Sequence, residues 1–231
     1  MSAKLETFTA NGKSISVVRD DLLTGGTKEA ALLSFIENMP ERELVYAGPR
    51  QGYAQIALAA ACKAAGKLAT LYLADSMVTH PRTLKAMELG AKVLKARPGY
   101  LSVVQSRARG YCAETGARML PFGLACEEMV EAIAQRARML SIVPDEVWSV
   151  AGSGTLQRGL QRAWPSAQFF AVQVGKTPDA GTAEIIVATE KYEQDAAEPP
   201  PFPSCSNYDA KAWRHIVARA SNGALFWNVA A

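Results

Sequence analysis

The stretch Val147-Trp148-Ser149-Val150-Ala151-Gly152-Ser153-Gly154-Thr155-Leu156-Gln157-Arg158-Gly159-Leu160 sets an apolar, β-prone run against a turn of small residues, and a helical pattern follows. Leu156, Leu160 and Ala163 recur on one helical face. A strand that turns through glycines into a helix points backbone N–H groups outward at the positive end of the helix dipole. That is a cup for an anion, best suited to a phosphate. Gly152 and Gly154 permit close backbone approach, and Ser153 and Thr155 add hydroxyl donors. Turns of this kind also serve simply to pack a helix tightly on a sheet.

Upstream, a second glycine turn has the same layout. Arg19-Asp20-Asp21-Leu22-Leu23-Thr24-Gly25-Gly26-Thr27-Lys28 ends an extended run, and a helical segment AALLSFI follows. Lys28 then falls in the first turn of a helix, where a cation is mildly disfavoured. A lysine so placed is a candidate for a lowered pKa, and a neutral amine is what carbonyl chemistry needs. The plainer reading is a solvated lysine after an ordinary turn.

Strand-like runs are expected at 15–19, 44–48, 69–74, 92–96, 147–151, 169–174, 184–188 and 224–229. Helical patterns occupy 28–37, 51–65, 81–89, 101–115, 127–140, 155–164 and 208–221. The alternation argues for an α/β fold with mainly parallel sheets, whose ligands gather at the carboxyl ends of strands. Pro199, Pro200, Pro201 and Pro203 exclude a regular helix or central strand between 195 and 204, which reads as an extended surface connection.

Composition removes several function classes. The chain has 231 residues, 49% of them hydrophobic and 20% charged, which suits a packed core of one large domain or two small lobes. A formal net charge of +3 neither demands nor excludes nucleic acid. No apolar run approaches the ~20 residues of a membrane span. The amino-terminal MSAKLETFTANGK lacks the apolar core of a signal peptide, so a cytoplasmic location is expected. Cys62, Cys112, Cys126 and Cys205 lack metal-ligand spacing and read as reduced, buried thiols. With His80 and His215 the only histidines, a His-based metal site or a Ser-His-Asp triad is poorly supplied, and no metal is expected.

A lysine and a Gly/Ser/Thr phosphate cup are the two attachments that pyridoxal phosphate requires. The segment GGTKEAALL resembles the lysine motif of the tryptophan-synthase-β-like (fold type II) pyridoxal phosphate enzymes. The nearest likeness is to the aminocyclopropane-carboxylate deaminase and D-cysteine desulfhydrase branch, in which an acidic strand end precedes GGNK. Gly152-Ser153-Gly154-Thr155-Leu156 resembles that family's phosphate loop, one glycine shorter. The segment from Tyr46 to Gln55 before an alanine-rich helix, Ser206-Asn207-Tyr208-Asp209 and the final Leu225-Phe226-Trp227-Asn228 follow in family order. The resemblance spans almost the whole chain and implies a two-lobed, three-layer αβα fold. Residues 1–43 and 118–231 would form a large cofactor-binding lobe, and 44–117 a small lobe.

The resemblance also implies roles. Lys28 would form the internal aldimine with pyridoxal 5'-phosphate and later move protons at the substrate's α-carbon. Gly152, Ser153, Gly154 and Thr155 would hold the phosphate. Asp209 would partner the pyridine nitrogen, although an acid at a helix start is also favoured by the dipole alone. Tyr208 would be an acid/base or stacking group near the substrate, or else an ordinary packed tyrosine. Arg50 and Gln51 stand where the family offers Ser and Asn to the substrate carboxylate and the ring oxygen. Gln51 could replace the Asn, and Arg50 adds a fork suited to a carboxylate or phosphate. Tyr53 in the same turn, and Phe122 in a Pro-x-Gly element, complete the substrate-binding candidates.

The implied reaction is of the lyase, deaminase or decarboxylase type, through a carbanion stabilised by a protonated ring. The alternative is a catalytically decayed cofactor-binding or interaction protein. The chain is shorter than family enzymes, with the loss between Val174 and the Tyr208 helix. An open cleft would admit a large substrate, and Arg107, Arg109, Arg158 and Arg162 would suit one carried on a polyanion such as aminoacyl-modified phage DNA. A homodimer is the family habit. A generic nucleotide-binding protein ranks last, because neither GxxxxGK[ST] nor GxGxxG is present.

Overall fold

The computed structural model describes residues 3–97 and 100–231. The chain divides into two compact units, one of Met1–Thr27 with Glu127–Ala231 and the other Lys28–Cys126. Both are α/β units built on mainly parallel sheets, as the alternation of periods predicts.

The first unit holds a six-stranded sheet in the order β1-β2-β10-β7-β8-β9. Its strands are β1 (Leu5–Ala10), β2 (Lys13–Arg19), β7 (Glu146–Ala151), β8 (Gln168–Gln173), β9 (Glu184–Val187) and β10 (Leu225–Asn228). Only β1 runs antiparallel to its neighbour. The sequence reading places no strand before residue 15. The missed signal is the pair Asn11-Gly12, both at positive φ (49° and 75°), which closes a two-residue hairpin. The core stacks Trp148 on Phe170 with centroids 4.4 Å apart and packs both with Ile15, Val17, Phe226 and Ile216. Helices α5 (Glu127–Arg138), α6 (Thr155–Ala163) and α7 (Trp213–Arg219) belong to this unit. The expected helix over 208–221 is split and shorter: Asp209–Ala212 is a 3-10 turn, and only Trp213–Arg219 is α-helical.

The second unit holds an all-parallel sheet in the order β5-β4-β3-β6. Its strands are β3 (Glu43–Ala47), β4 (Leu68–Ala74), β5 (Lys92–Ala96) and the short β6 (Arg118–Leu120), the last not expected from sequence. Val45 and Ala47 pack with Val104 and Ala108 of α4 (Leu101–Thr115), which leaves Leu44 and Tyr46 for the opposite face. Helix α2 (Ala54–Ala64) is buried from Ala54 through Cys62, as its alanine-rich sequence allows. Helix α3 (Pro81–Glu88) starts with proline at its first position, where no N–H is needed. Helix α1 (Gly26–Ile36) opens at the boundary between the two units.

The proline-rich segment forms neither helix nor strand, as expected. It is nevertheless pinned to the core by Phe202, which meets Trp213 edge-on at 5.2 Å and lies 4.4 Å from Phe8. All four cysteines are thiols. Cys62 and Cys205 are buried, but Cys112 and Cys126 are only partly so, contrary to the expectation that all four are core residues.

Candidate functional site

Parallel strands β2, β10 and β7 send their carboxyl ends to one edge of the first sheet. Two glycine turns leave from that edge. The first follows β2. Gly26 has φ +65°, and a Cβ there would fall on the carbonyl oxygen of Val229, just past β10. Only glycine fits, which explains the second glycine of the pair. Thr27 N–H donates to the same carbonyl at 3.2 Å.

A buried polar network fixes this turn. Asp20, wholly buried, accepts from the Thr27 hydroxyl at 2.7 Å and from Trp227 Nε1 at 3.2 Å. Arg136 of α5 grips it at two points, with Nε 3.1 Å from Oδ2 and Nη2 on Oδ1. Trp227 Nε1 also lies 2.9 Å from the Thr27 hydroxyl. Arg19 turns instead to Asp21 with a two-point pair at 2.8 and 2.7 Å. Lys28 follows Thr27 directly, partly buried, in the first turn of α1. Sequence reasoning singled out Lys28 but not the Asp20, Arg136 and Trp227 set beneath the turn before it.

The second turn follows β7. Gly154 has φ +85° and begins α6, and a Cβ on it would fall on the Asp179 carbonyl. Gly152 packs under Tyr208: a Cβ there would come within 3.0 Å of the phenolic oxygen. The Ser153 and Thr155 hydroxyls lie 3.0 Å apart. Buried Gln157 locks α6 to the sheet by donating to Ser149 Oγ at 2.6 Å and to the Phe170 carbonyl at 3.2 Å. Helix geometry leaves the first N–H groups of α6 without intrahelical partners, so the cup has the donor chemistry of an anion site.

Tyr208 and Asp209 stand beside this cup. Asp209 is wholly buried in the 3-10 turn Asp209–Ala212. Burial, and then the Asp209 charge, push the Tyr208 phenol far above its ordinary value, against a smaller opposing pull from the Gly152 backbone hydrogen bond. Tyr208 therefore stays protonated at any physiological pH.

In the second unit the turn after β3 carries Arg50, Gln51 and Tyr53. Residues 51–53 precede α2 rather than forming its start, as the expected helix over 51–65 had it. The cause is Gln55, whose buried amide donates to the carbonyls of Arg50 (2.6 Å) and Gly52 (3.0 Å) and holds the turn open. Phe122 follows β6, the neighbour of β3, and is 43% exposed. Chain order reverses between β3 and β6, and ligands of such sheets bind at that crevice. Among the described residues, no three of His, Cys, Asp and Glu are placed to hold a metal ion.

No family model matches the chain, and no curated protein sequence does. Solved structures do match. An ACC deaminase homologue superposes with a TM-score of 0.84 at 15% identity, over 100% of this chain and 89% of that one. A hydrogen sulfide-producing enzyme from Fusobacterium nucleatum gives 0.69 at 12% identity, over 99% and 93%. A threonine deaminase from T.th. gives 0.67 at 12% identity, over 95% and 87%. The chain has the fold of the fold type II pyridoxal phosphate enzymes. In this fold type II chain the two glycine turns leave the carboxyl edge of the larger sheet, while Arg50, Gln51, Tyr53 and Phe122 flank the order reversal of the smaller one. Among the described residues, no helix is long and apolar enough to cross a membrane.

Proposed function

We propose that the chain binds pyridoxal 5'-phosphate and acts as a lyase at the α-carbon of an amino-acid-type substrate. The observation that carries this reading is the cradle at Gly152–Thr155. Both glycines are there because a Cβ would meet neighbouring atoms, two hydroxyls face each other, and a helix begins. A phosphate dianion fits that set of donors. Asp209, a buried carboxylate beside Tyr208, fits a protonated pyridine nitrogen.

Bound there, the cofactor would supply an electron sink for charge developing at the α-carbon. The residues have distinct tasks. Gly152, Ser153, Gly154 and Thr155 would bind the phosphate through backbone and hydroxyl donors. Asp209 would keep a proton on the ring nitrogen. Lys28 would be the covalent attachment and the base that takes the α-proton. Tyr208, held protonated, would donate a hydrogen bond rather than accept a proton. Gln51, Arg50, Tyr53 and Phe122 would orient the substrate.

The test is the absorption spectrum of the protein incubated with pyridoxal phosphate. A band near ~410–430 nm, absent in Lys28→Ala and fixed to the Lys28 peptide by borohydride, is the expected result. An unchanged band in the variant would remove Lys28 from its role. A normal band without turnover on any amino acid would favour the alternative, a cofactor carrier without catalysis.

Charge distribution favours a second reading, in which the substrate is carried on nucleic acid. Lys and Arg outnumber Asp and Glu by 13 to 7 in Lys28–Cys126 but are outnumbered 12 to 15 in the rest. Arg107 and Arg109 are exposed on α4. Salt-sensitive retention on DNA would support it, and no retention at low ionic strength would remove it.

A further inference from the structure

Lys211 is wholly buried in the 3-10 turn Asp209–Ala212, two residues after Asp209. A lysine ordinarily buries its stem and keeps its ammonium in water, because drying a charge is costly. Here the amine gives up water for one carbonyl: Nζ donates to the Lys191 carbonyl at 2.7 Å. Among the described residues no carboxylate lies within ion-pair distance of it. Burial is the largest influence on the amine and holds it below the ordinary lysine range, against weaker opposite pulls led by Glu190 and Asp195. The next carbonyl along is held as well, by Asn207 Nδ2 on the Tyr192 carbonyl at 3.2 Å. Two successive carbonyls are thus gripped from the two ends of residues 207–211, and Tyr208 and Asp209 stand between the grips. Farther out, Ser206 Oγ donates to Asp195 Oδ1 at 2.6 Å, and Ala196 N–H to the Ser206 carbonyl at 2.8 Å. Glu190 accepts from Ala197 N–H at 3.1 Å and closes the segment on itself. Residues 190–197 are therefore laid along residues 206–211. Tyr192, carried by that segment, packs on the same core as Tyr208 and stands close enough for its charge to act on the Tyr208 phenol.

We propose that Lys211 is a positioning residue of the candidate site: its amine clamps residues 190–197 against the turn that bears Tyr208 and Asp209, and so keeps water from the Tyr208 phenol. The inference rests on the reading above for its purpose, a Tyr208 that remains a hydrogen-bond donor. Without the amine the Lys191 carbonyl loses its anchor, the segment leaves the turn, and the phenol meets water and ionises near ~10 like an ordinary tyrosine. Asn207 is the second hold on the same segment, and Lys211→Arg keeps a donor for the Lys191 carbonyl.

The near-ultraviolet absorbance of tyrosinate tests this on the cofactor-free full chain, read immediately after a jump to about pH 11, before alkaline unfolding. In the wild type Tyr208 is silent, so Tyr208→Phe gives the same amplitude. Lys211→Met, which keeps the length of the side chain without its amine, gains the signal of about one further tyrosine. Lys211→Arg shows no gain, and Lys211→Met combined with Tyr208→Phe loses it again. Should Lys211→Met fail to fold, Asn207→Ala, which cuts the second hold and leaves Lys211 in place, takes its part with the same comparisons. An amplitude unchanged in the variant, or a gain that survives Tyr208→Phe, overturns the proposal. No cofactor enters the measurement, so a missing visible band and an unchanged tyrosinate signal are separate failures.

Discussion

Asp20 and Arg136, 116 residues apart in sequence, form a buried two-point ion pair directly beneath the turn that delivers Lys28. The Thr27 hydroxyl and the Trp227 indole share the same carboxylate. Removing one partner strands the other charge in a dry interior, which costs far more than the pair itself contributes. Arg136→Leu is therefore expected to lose about 3–5 kcal/mol of stability, and Asp20→Asn combined with Arg136→Leu to recover part of it. Urea denaturation of the three proteins measures this. A single-variant loss under about 1 kcal/mol would mean that the pair does not hold the turn.

Gly154 and Gly12 have nearly the same positive φ but different surroundings. Gly12→Ala enters open space and meets only the left-handed backbone penalty of roughly 1–2 kcal/mol. Gly154→Ala meets that penalty and the Asp179 carbonyl as well. We expect the first variant to retain binding of inorganic phosphate and the second to lose it, with the larger drop in melting temperature. Equal behaviour of the two would separate the cup from phosphate binding.

These two turns also show what a sequence reading can reach. The Gly-Ser-Gly-Thr cup was legible because local composition alone dictates it: small residues between a β-run and an amphipathic helix. The boundaries of β5 and α4 were legible for the same reason. The Asp20–Arg136 pair was not, since nothing local marks two charges that meet through the tertiary fold. The clamp made by Lys211 escaped attention likewise, because the carbonyl it holds belongs to Lys191, 20 positions earlier. The hairpin at Asn11-Gly12 could have been read, and the alternation of β1 gives the reason it was not: its outward residues Leu5, Thr7 and Thr9 are exposed on a sheet edge and carry little hydrophobic signal.

Tyr208 leads to a prediction at alkaline pH. An unfolded tyrosine ionises near ~10, whereas the buried phenol beside Asp209 holds its proton well above that. Its contribution is thus fully present below about pH 10 and is lost as pH climbs toward the folded value. Denaturant midpoints at pH 9 and pH 11 should differ more for the wild type than for Tyr208→Phe. Tyr72, also raised by burial, leaves a residual slope in both. Identical slopes would mean that water reaches the phenol.

Cys62 gives a chemical readout of the second unit. Burial pushes its thiol up to about 12, only partly offset by Lys67, and the thiolate is the reactive form. A brief iodoacetamide pulse at pH 8 should label the partly exposed Cys112 and Cys126 and spare Cys62 until denaturant is added. Peptide mass spectrometry distinguishes the sites. Early labelling of Cys62 would show that α2 opens readily.

Strand β10 has a consequence for how the protein is made. Residues 225–228 lie between β2 and β7, so the oldest and the middle portions of the larger sheet have no common neighbour until that strand is synthesised. Until then β2 and β7 each show the ribosome-bound chain an unfilled edge, the kind of surface that invites wrong pairing. The smaller sheet, whose strands all precede residue 121, suffers no such wait. Assembly during translation should run from the inside of the sequence outward, with chaperone dependence concentrated on the flanking portions.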